Sequence, residues 1–366
     1  MPIYDCIVIG AGPAGGSAAY FLARAGCSVL VLEKAKFPRY KCCGGGLPRK
    51  VADIFDFDLS PLFEREIKGT VFSWLSRDRR YERGEEILGW VVKREMFDDF
   101  LIRRAAQAGA EFKEEAEVID LREEVAQYAI VTPGGNFSAR TVIAADGADS
   151  LLGRRIYPRF LRSSGFALEA RIPMREEFLR QRGDYISFDL GGVPGGYGWL
   201  FPRRDHISAG VATRRSGFRR LRGCLENYLE REGLIGEYRR DSVRGANIPF
   251  GIPPAGLVRG RCLLAGDAAG LVDRVAGEGI YYALKSGELA ARAITHFLAG
   301  RSALAKYRGL VWQSFGKNLC WSHFFSRLFS LSPHLVFKGV ISNERRLRKA
   351  MRVILGELSY RDLIFG

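Results

Sequence analysis

Two hydrophobic patterns run along the chain and predict two kinds of β-sheet. Mostly apolar runs at residues 3–9 and 28–32 each stop at a glycine or an acid, as buried strands of βαβ units do. Residues 185–190 and 206–211 instead alternate apolar and polar side chains, and a glycine-rich turn at 191–196 follows the first of them. This alternation predicts antiparallel strands with one covered face. We therefore expect an α/β protein in which an antiparallel-sheet domain is inserted into a Rossmann-like domain.

A glycine-rich turn follows the first apolar run. Its sequence, G-A-G-P-A-G, has the G-x-G-x-x-G spacing, which allows a tight turn, bare backbone against a pyrophosphate and close packing of the next helix. The second run ends in an acid, where a carboxylate can accept a hydrogen bond from a ribose hydroxyl. The two features predict a dinucleotide site and fit NAD and FAD equally. We expect the site to include Gly10, Gly12, Pro13, Ala14, Gly15, Glu33 and Lys34.

A second element, far along the chain, distinguishes these cofactors. An apolar strand ends in Gly266 and Asp267, and a glycine loop from Gly277 to Gly279 then opens a helix at Ile280. An aspartate at such a strand end can accept hydrogen bonds from ribitol hydroxyls, and the loop can face a flavin ring. A nicotinamide dehydrogenase has no need of this piece, so FAD is favoured. The alternative for the aspartate is a plain helix cap.

From residue 1 to about 299 the chain resembles the flavoenzymes folded like para-hydroxybenzoate hydroxylase. Besides the glycine motifs, Asp146 and Gly147 after an apolar run are similar to an Asp-Gly motif near the cofactors of that group. Arg94, before an amphipathic helix, matches a segment whose arginine touches FAD. Taken alone, Asp146 lies in an ordinary turn and Arg94 is an ordinary surface cation.

Two further motifs resemble the geranylgeranyl reductase family more specifically. Its P-x-x-K-x-C-G-G and Y-x-W-x-F-P signatures match Pro38, Lys41, Cys43, Gly44 and Gly45, and Tyr197, Trp199, Phe201 and Pro202. Successive glycines bring no side chain to a core, so we expect a backbone that passes close to a flat ligand. The three aromatic residues alternate along a predicted strand and share one face. From periodicity alone, that face lines a substrate pocket or fills a plain domain core.

The resemblance implies an FAD-dependent reductase that saturates C=C bonds of an isoprenoid or prenylated lipid. In such an enzyme NAD(P)H or another donor reduces the flavin, and hydride then passes to one alkene carbon. The other carbon needs a closely placed acid in a dry pocket, for which Cys43 and Tyr197 are the candidates. Two alternatives stay open: an FAD-dependent aromatic hydroxylase (a monooxygenase) and a non-catalytic flavin- or lipid-binding protein.

The domain organisation follows from the placement of these motifs. The stretches at 61–90 and 156–256 are expected to form the substrate-binding domain, and 301–366 a basic helical region. The FAD-binding domain is then discontinuous, with pieces at 1–60, 91–155 and 257–300.

The C-terminal region carries much of the net charge of +15. Residues 301–366 contain twelve Lys or Arg and three Asp or Glu, and they include an aromatic run at 321–331. Such helices suit an anionic membrane surface, where a membrane-borne substrate would be met. The alternative is a helical cap on the flavin domain with a solvated basic face. No nucleic-acid-binding motif accompanies the charge, so nucleic acid is not an expected partner.

Cysteine usage and the N-terminus indicate the compartment. Seven cysteines, scattered and odd in number, suggest a reducing cytoplasm, and without a C-x-x-C pair no metal site is expected. Residues 1–5 lead directly into the first strand, so no signal peptide is expected. We expect a cytoplasmic protein, with peripheral attachment to the inner face of the membrane as the open alternative.

Overall fold

The computed structural model describes residues 2–156, 164–215, 217–251 and 256–365, so that 157–163, 216 and 252–255 of the expected substrate-domain stretch lie outside the described residues. The strands, in chain order, are β1 (Ile3–Ile9), β2 (Val29–Leu32), β3 (Gly46–Pro48), β4 (Arg65–Ile67), β5 (Gly69–Trp74), β6 (Arg77–Arg83), β7 (Gly89–Val91), β8 (Glu111–Lys113), β9 (Asp120–Glu124), β10 (Gln127–Thr132), β11 (Gly135–Ala144), β12 (Ser164–Pro173), β13 (Tyr185–Leu190), β14 (Gly196–Pro202), β15 (His206–Thr213), β16 (Arg244–Pro249), β17 (Val258–Arg259) and β18 (Cys262–Leu264). The α-helices are α1 (Pro13–Arg24), α2 (Arg94–Gln107), α3 (Leu151–Ile156), α4 (Glu176–Gln181), α5 (Leu221–Arg231), α6 (Ile280–Leu298), α7 (Lys306–Val311), α8 (Lys317–Leu331), α9 (Pro333–Val336), α10 (Glu344–Leu355) and α11 (Asp362–Phe365).

The first sheet contains the apolar runs and is mainly parallel, which confirms the α/β class. Its path is β17-β18-β11-β1-β2-β8, and β10 pairs with β11 while β9 pairs with β10. β1 lies parallel to β2 and to β11, with Ile9 opposite both Leu32 and Ala144. Ala144 is in turn opposite Leu264 of β18. Four strands therefore end at one level, and the predicted cofactor segments follow these ends.

The second sheet has the order β16-β12-β15-β14-β13-β5-β6 and takes strands from both inserted stretches. Its pairings are antiparallel, as expected, except between β13 and β5, which run parallel. The expectation of one covered face was wrong, because every residue of β15 is buried. Helix α5 packs Leu225 and Leu229 against Ile207 and Val211 on one face. The opposite face lies against other parts of the chain and a cavity described below.

The C-terminal helices pack onto both sheets. The Tyr307 hydroxyl donates a hydrogen bond to the carbonyl of Leu264, at the end of β18 (3.0 Å). Further on, Phe337 and Met351 share an apolar cluster with Phe72 of β5 and Leu190 of β13. This part of the chain is thus a cap that spans the two sheets. Across the described ranges, no helix combines the length and apolarity needed to cross a bilayer.

The packing of α1 against α6 generates a stability prediction on two helical glycines. A Cβ atom at Gly287 of α6 would lie 2.3 Å from the carbonyl oxygen of Ala14, whereas one at Gly223 of α5 meets no atom within 4 Å. We expect Gly287→Ala to lower the free energy of unfolding by about 1–3 kcal/mol through overpacking. The matched Gly223→Ala should raise it by about 0.5–1 kcal/mol, because alanine loses less backbone entropy. Equal effects of the two changes in urea unfolding would contradict this packing.

Candidate active site

One cavity of about 1010 Å³ extends from the ends of β1, β2, β11 and β18 in the first sheet to the second sheet, on the face that α5 does not cover. Its first part is lined by the glycine turn and by polar residues. The other part is lined by apolar side chains of β5, β13 and β14 and by the C-terminal helices. All the predicted cofactor and substrate residues line this cavity except Gly15, Gly266 and Pro202.

The three glycines of the first turn have different physical reasons to be glycine. Gly10 has φ +95°, and a Cβ there would lie 2.5 Å from the carbonyl oxygen of Ala145. At Gly15 a Cβ would lie 1.8 Å from the carbonyl oxygen of Gly10, so this glycine lets α1 pack on the turn. Gly12 lines the cavity, and the nearest atom to a Cβ there is Nη2 of Arg39 at 3.7 Å. Protein packing therefore explains the first two glycines but not Gly12.

Charged residues surround this turn in a connected network. The buried Glu33 carboxylate accepts a hydrogen bond from the amide of Ala11 (2.8 Å). Asp98, which is fully buried on α2, accepts hydrogen bonds from Arg39 (3.0 Å) and, through both of its oxygens, from Arg94 (2.9 Å each). The Arg94 guanidinium is buried, which lowers its pKa, but the Asp98 carboxylate outweighs that burial and raises the pKa well above its usual range. Two cations are thus held rigidly beside the polar part of the cavity.

Asp267 follows β18 and lines the same cavity. Burial raises the pKa of its carboxyl, against the opposing influence of Lys41 and Arg94. Within the described residues the carboxylate accepts no hydrogen bond, so the helix-cap alternative receives no support from a capping contact. Gly266, at φ +58°, has no room for a side chain, because a Cβ would lie 2.9 Å from that of Ala14. This glycine packs the strand end onto α1 and leaves the aspartate facing the cavity.

Asp146 follows β11 and binds its own turn. Its carboxylate accepts hydrogen bonds from the Ser150 hydroxyl (2.5 Å) and the Leu151 amide (3.0 Å). Burial raises the pKa of the Asp146 carboxyl, and these hydrogen bonds oppose the shift. Asp146 therefore holds the start of α3 while it lines the cavity.

The Cys-Gly-Gly-Gly segment, residues 43–46, passes between the polar part of the cavity and the second sheet. A Cβ at Gly44 would lie 3.1 Å from the Phe201 ring, and one at Gly45, which has φ +67°, would lie 2.3 Å from the carbonyl oxygen of Val92. The Arg203 guanidinium donates a hydrogen bond to the carbonyl of Gly44 (2.6 Å). The prediction that core packing does not require these glycines was therefore wrong. The backbone passes close to protein atoms, including a flat aromatic ring.

A buried carboxylate that the sequence analysis did not identify fixes this segment. Glu169 of β12 accepts hydrogen bonds from the Cys43 amide (3.0 Å), the Tyr40 hydroxyl (2.8 Å) and the Ser208 hydroxyl (2.7 Å). The only local signal was an acid within the otherwise largely apolar stretch 166–172. Arg39 was also missed, although it lies between Pro38 and Lys41 of the quoted motif. Partners distant in sequence decide the roles of both residues.

The aromatic side chains of β14 form one face, as expected. Trp199 and Phe201 are buried in a cluster with Ala167 and Ala212, and Tyr197 packs against that cluster. The three rings line the cavity, which favours the pocket over a plain core. The Tyr197 hydroxyl donates a hydrogen bond to the carbonyl of Ala276 (2.9 Å). This contact connects β14 to the start of the second glycine loop, Gly277 to Gly279. Burial raises the pKa of the Tyr197 hydroxyl.

The segment that leads into the second glycine loop is fixed by hydrogen bonds, one of which comes from the C-terminal cap. One carboxylate oxygen of Asp273 accepts hydrogen bonds from the amides of Val275 (2.8 Å) and Ala276 (2.9 Å) and from the Tyr360 hydroxyl (2.9 Å). The loop ends at Gly279, after which α6 begins at Ile280 as predicted. The cap therefore contributes to the geometry of the cofactor end.

Two observations match these residues to FAD. Gly12 is a glycine that no protein contact requires, in a position where a Cβ would enter the cavity. Asp267 is a half-buried carboxylate that lines the cavity and accepts no hydrogen bond from the described residues, as expected of a partner of ligand hydroxyls. The glycine turn with Glu33 would hold the adenosine and pyrophosphate, and Asp267 with the Gly277–Gly279 loop would hold the ribitol and flavin.

Comparisons with known proteins agree with this site. A family described as an NAD(P)-binding Rossmann-like domain matches residues 8–53. A digeranylgeranylglycerophospholipid reductase of Methanopyrus kandleri is 30% identical over 351 residues, which cover 89% of this chain and 87% of that protein. A menaquinone reductase of Mycobacterium tuberculosis is 32% identical over 325 residues, which cover 79% of this chain and 76% of that protein.

Solved structures share the fold at lower identity. A geranylgeranyl bacteriochlorophyll reductase-like protein of Thermoplasma acidophilum matches with a TM-score of 0.79 at 24% identity, over 89% of this chain and 87% of that one. A flavin-dependent brominase matches with a TM-score of 0.74 at 22% identity, over 97% and 94% of the two chains. The same architecture therefore accompanies different reactions, and the fold alone does not choose between them.

The room at Gly12 generates a prediction about cofactor affinity. Gly12→Ala should weaken FAD binding at least about tenfold, because the methyl group would occupy space next to the pyrophosphate. The apoprotein should lose only about 1 kcal/mol or less of stability, the cost of alanine at the N-cap of α1, since the new methyl meets no protein atom closer than 3.7 Å. FAD titration of the apoprotein measures the first effect and thermal unfolding the second. Unchanged affinity would contradict the assignment of this turn.

Proposed function

Because the chain belongs to the geranylgeranyl reductase family of flavin oxidoreductases, we propose that it is an FAD-dependent reductase that saturates C=C bonds of an isoprenoid chain. One observation carries the proposal: a single cavity joins two different parts. The cofactor end is lined by the glycine turn and the polar residues after the parallel strands, and the apolar chamber is lined by β5, β13, β14 and the C-terminal helices. FAD, once reduced by NAD(P)H or another donor, would supply the hydride. An aromatic hydroxylase can use a similar flavin site, but a chamber lined on several sides by branched and aromatic side chains favours a polyisoprenoid over a small polar ring.

The chamber suits an isolated alkene because it is apolar on several sides. Phe72 and Phe188 stack with ring centroids 5.4 Å apart, and Phe188 meets Phe201 edge-on at 5.6 Å. Ile341 and Met351 of the C-terminal cap close the opposite side. Apolar walls offer no proton donor of their own, so we expect the proton for the alkene to come from a nearby polar side chain.

Cys43 is favoured over Tyr197 as the group that delivers this proton. The Tyr197 hydroxyl already donates to Ala276, so its proton is engaged in a structural hydrogen bond. The Cys43 sulfur accepts a hydrogen bond from the Gly45 amide (3.3 Å), and the S–H is left to point elsewhere. Arg94 interacts electrostatically with Cys43 and would stabilise the thiolate left behind. Tyr197 then acts as a positioning residue for the glycine loop.

Anaerobic turnover tests the proposed reaction. We expect the chemically reduced, FAD-loaded protein to be reoxidised by a geranylgeranyl substrate, and mass spectrometry should find the product heavier by two hydrogens for each reduced double bond. A hydroxylated product formed only with oxygen would replace the reductase with the hydroxylase. Binding of the lipid without any reoxidation would indicate a carrier.

The role of Cys43 predicts which half of the reaction slows in a variant. Cys43→Ala should slow alkene-driven flavin reoxidation about 100-fold, the usual size of a general-acid effect, without changing flavin reduction by the donor. Cys42→Ala is the matched control, since Cys42 also lines the cavity but its thiol donates to the Arg244 carbonyl (3.6 Å). A large loss in Tyr197→Phe together with none in Cys43→Ala would assign the proton to the tyrosine.

The C-terminal cap is also proposed to bring the protein to a membrane surface. Four large apolar side chains of α8 and α9 are exposed: Phe324 (49%), Leu328 (45%), Leu331 (81%) and Leu335 (66%). The same region has nine more basic than acidic residues, and each cation near anionic headgroups contributes about 1 kcal/mol. Leu328 lines the cavity as well, so the exposed patch is continuous with the substrate chamber.

Vesicle binding tests this attachment. The protein should co-sediment with phosphatidylserine-containing vesicles more than with phosphatidylcholine vesicles, and Leu331→Ser with Leu335→Ser should reduce the bound fraction severalfold. Ile235→Ser, which removes an exposed apolar side chain (41%) in another part of the chain, should not. Equal recovery with both vesicle types, or none with either, would remove the membrane proposal.

A further inference from the structure

The apolar part of the cavity is bordered by α10, which contributes two kinds of side chain. Leu347 and Met351 are buried in the cluster that α10 shares with the second sheet, and Ile354 lines the cavity nearby. Arg346, which is exposed to solvent, and Lys349, which is half-buried, line the same cavity where it meets the surface. Their spacing of three residues places both cations on neighbouring positions of one helix surface.

Some basic side chains of α10 form ion pairs with carboxylates and others do not. Arg348 forms an ion pair with Glu82 (3.1 Å), and Arg352 forms one with Glu357 (3.0 Å). Arg346 donates a hydrogen bond to the Gly339 carbonyl (2.8 Å), and neither it nor Lys349 forms a salt bridge within the part of the chain that the structure describes. The two α10 cations that line the cavity thus have no paired carboxylate among the described residues; Arg345 has none either, but it does not line the cavity.

Asp362 of the neighbouring helix α11 is an acidic group within electrostatic range of Lys349. Its carboxylate accepts hydrogen bonds from the amide (2.7 Å) and hydroxyl (2.8 Å) of Ser359, and these lower its pKa first, with smaller contributions from Arg361 and Lys349. This carboxylate is therefore already bound to its own turn. It leaves the Lys349 ammonium available to a further anion.

We propose that Arg346 and Lys349 bind the phosphate of a prenyl substrate whose chain lies in the apolar chamber, an assignment that rests on the proposed function. A prenyl diphosphate and a prenylated glycerophospholipid share this chemistry: a phosphate anion at one end of an otherwise apolar molecule. A guanidinium matches phosphate oxygens with a planar pair of donors, and an ammonium adds a point charge beside it. A prenylated quinone has no such anion and gains nothing from the two cations. The pair would therefore select the head group of the substrate.

Binding to the oxidised, FAD-loaded full-length protein tests this site without turnover. Quenching of tryptophan fluorescence would follow titrations with geranylgeranyl diphosphate, with a digeranylgeranyl glycerophospholipid and with uncharged geranylgeraniol. We expect the wild-type protein to bind the diphosphate at least about tenfold more tightly than the alcohol. The double variant Arg346→Gln, Lys349→Gln should lose this preference, with its affinity for the alcohol unchanged. Arg345→Gln is the control, because Arg345 lies on the same helix and carries the same charge but does not line the cavity.

The outcomes separate the site from the reaction. Loss of affinity for both phosphate compounds supports a general phosphate site, and loss for the diphosphate alone restricts it to prenyl diphosphates. Equal affinity of wild type and double variant for both phosphates, or the same loss in Arg345→Gln, overturns the assignment. Head-group-dependent binding without any reduction of the chain would refute the proposed function and leave the site intact. Reduction of phosphate and alcohol substrates without any difference in their affinity would overturn the phosphate site and leave the proposed function intact.

Discussion

The structure depends on the register of four parallel strands. Ile9, Leu32, Ala144 and Leu264 lie opposite one another, so β1, β2, β11 and β18 end at one level. The backbone continues this alignment past the strands, with the Gly10 amide donating to Leu32 and the Ala145 amide to Ile9 (2.8 Å each). The glycine turn and the acids that follow these strands are therefore brought together although they are far apart in sequence. A shift of one strand would move its acid away from the cavity.

The second constraint is how closely the Cys-Gly-Gly-Gly segment passes between the two sheets. It lies on the ring of Phe201, and Glu169 holds it through the Cys43 amide. Tyr197 reaches from the same sheet to the second glycine loop. The cofactor end and the apolar chamber are thus positioned by shared contacts, so a substitution in β14 would alter the geometry of both. Such rigid support is what a reaction between two bound groups requires.

Much of this arrangement could be predicted from local patterns. Apolar runs that stop at glycine or acid indicate buried parallel strands, and they correctly placed the turn at Gly10 and the helix start at Ile280. The strand expected to end at Gly266 and Asp267 ends earlier, at Leu264, and these two residues begin a short 3-10 helix. The alternation of β13 and β15 indicated antiparallel strands, but not that α5 and the cavity would cover both faces. An alternating pattern reports periodicity and cannot say what packs on its polar side.

The remaining features depend on contacts between distant residues. Arg39 and Asp98 are 59 positions apart, and Glu169 and Cys43 are 126 positions apart, so neither pairing leaves a local signal. The glycines after Cys43 were expected to let the backbone approach a flat ligand, whereas the close neighbours that the structure shows are protein atoms. The basic C-terminal region was recognised by its charge, whereas its packing against Phe72 and Leu190 could not be foreseen, since those residues belong to strands of another domain stretch.

The structure of the FAD-loaded protein with a bound geranylgeranyl compound tests the central claim most directly. The account predicts a prenyl chain along Trp199 and Phe201, with one of its C=C bonds between the flavin ring and Cys43. A chain bound outside this chamber, or a flavin separated from it by a closed wall of side chains, would contradict the account.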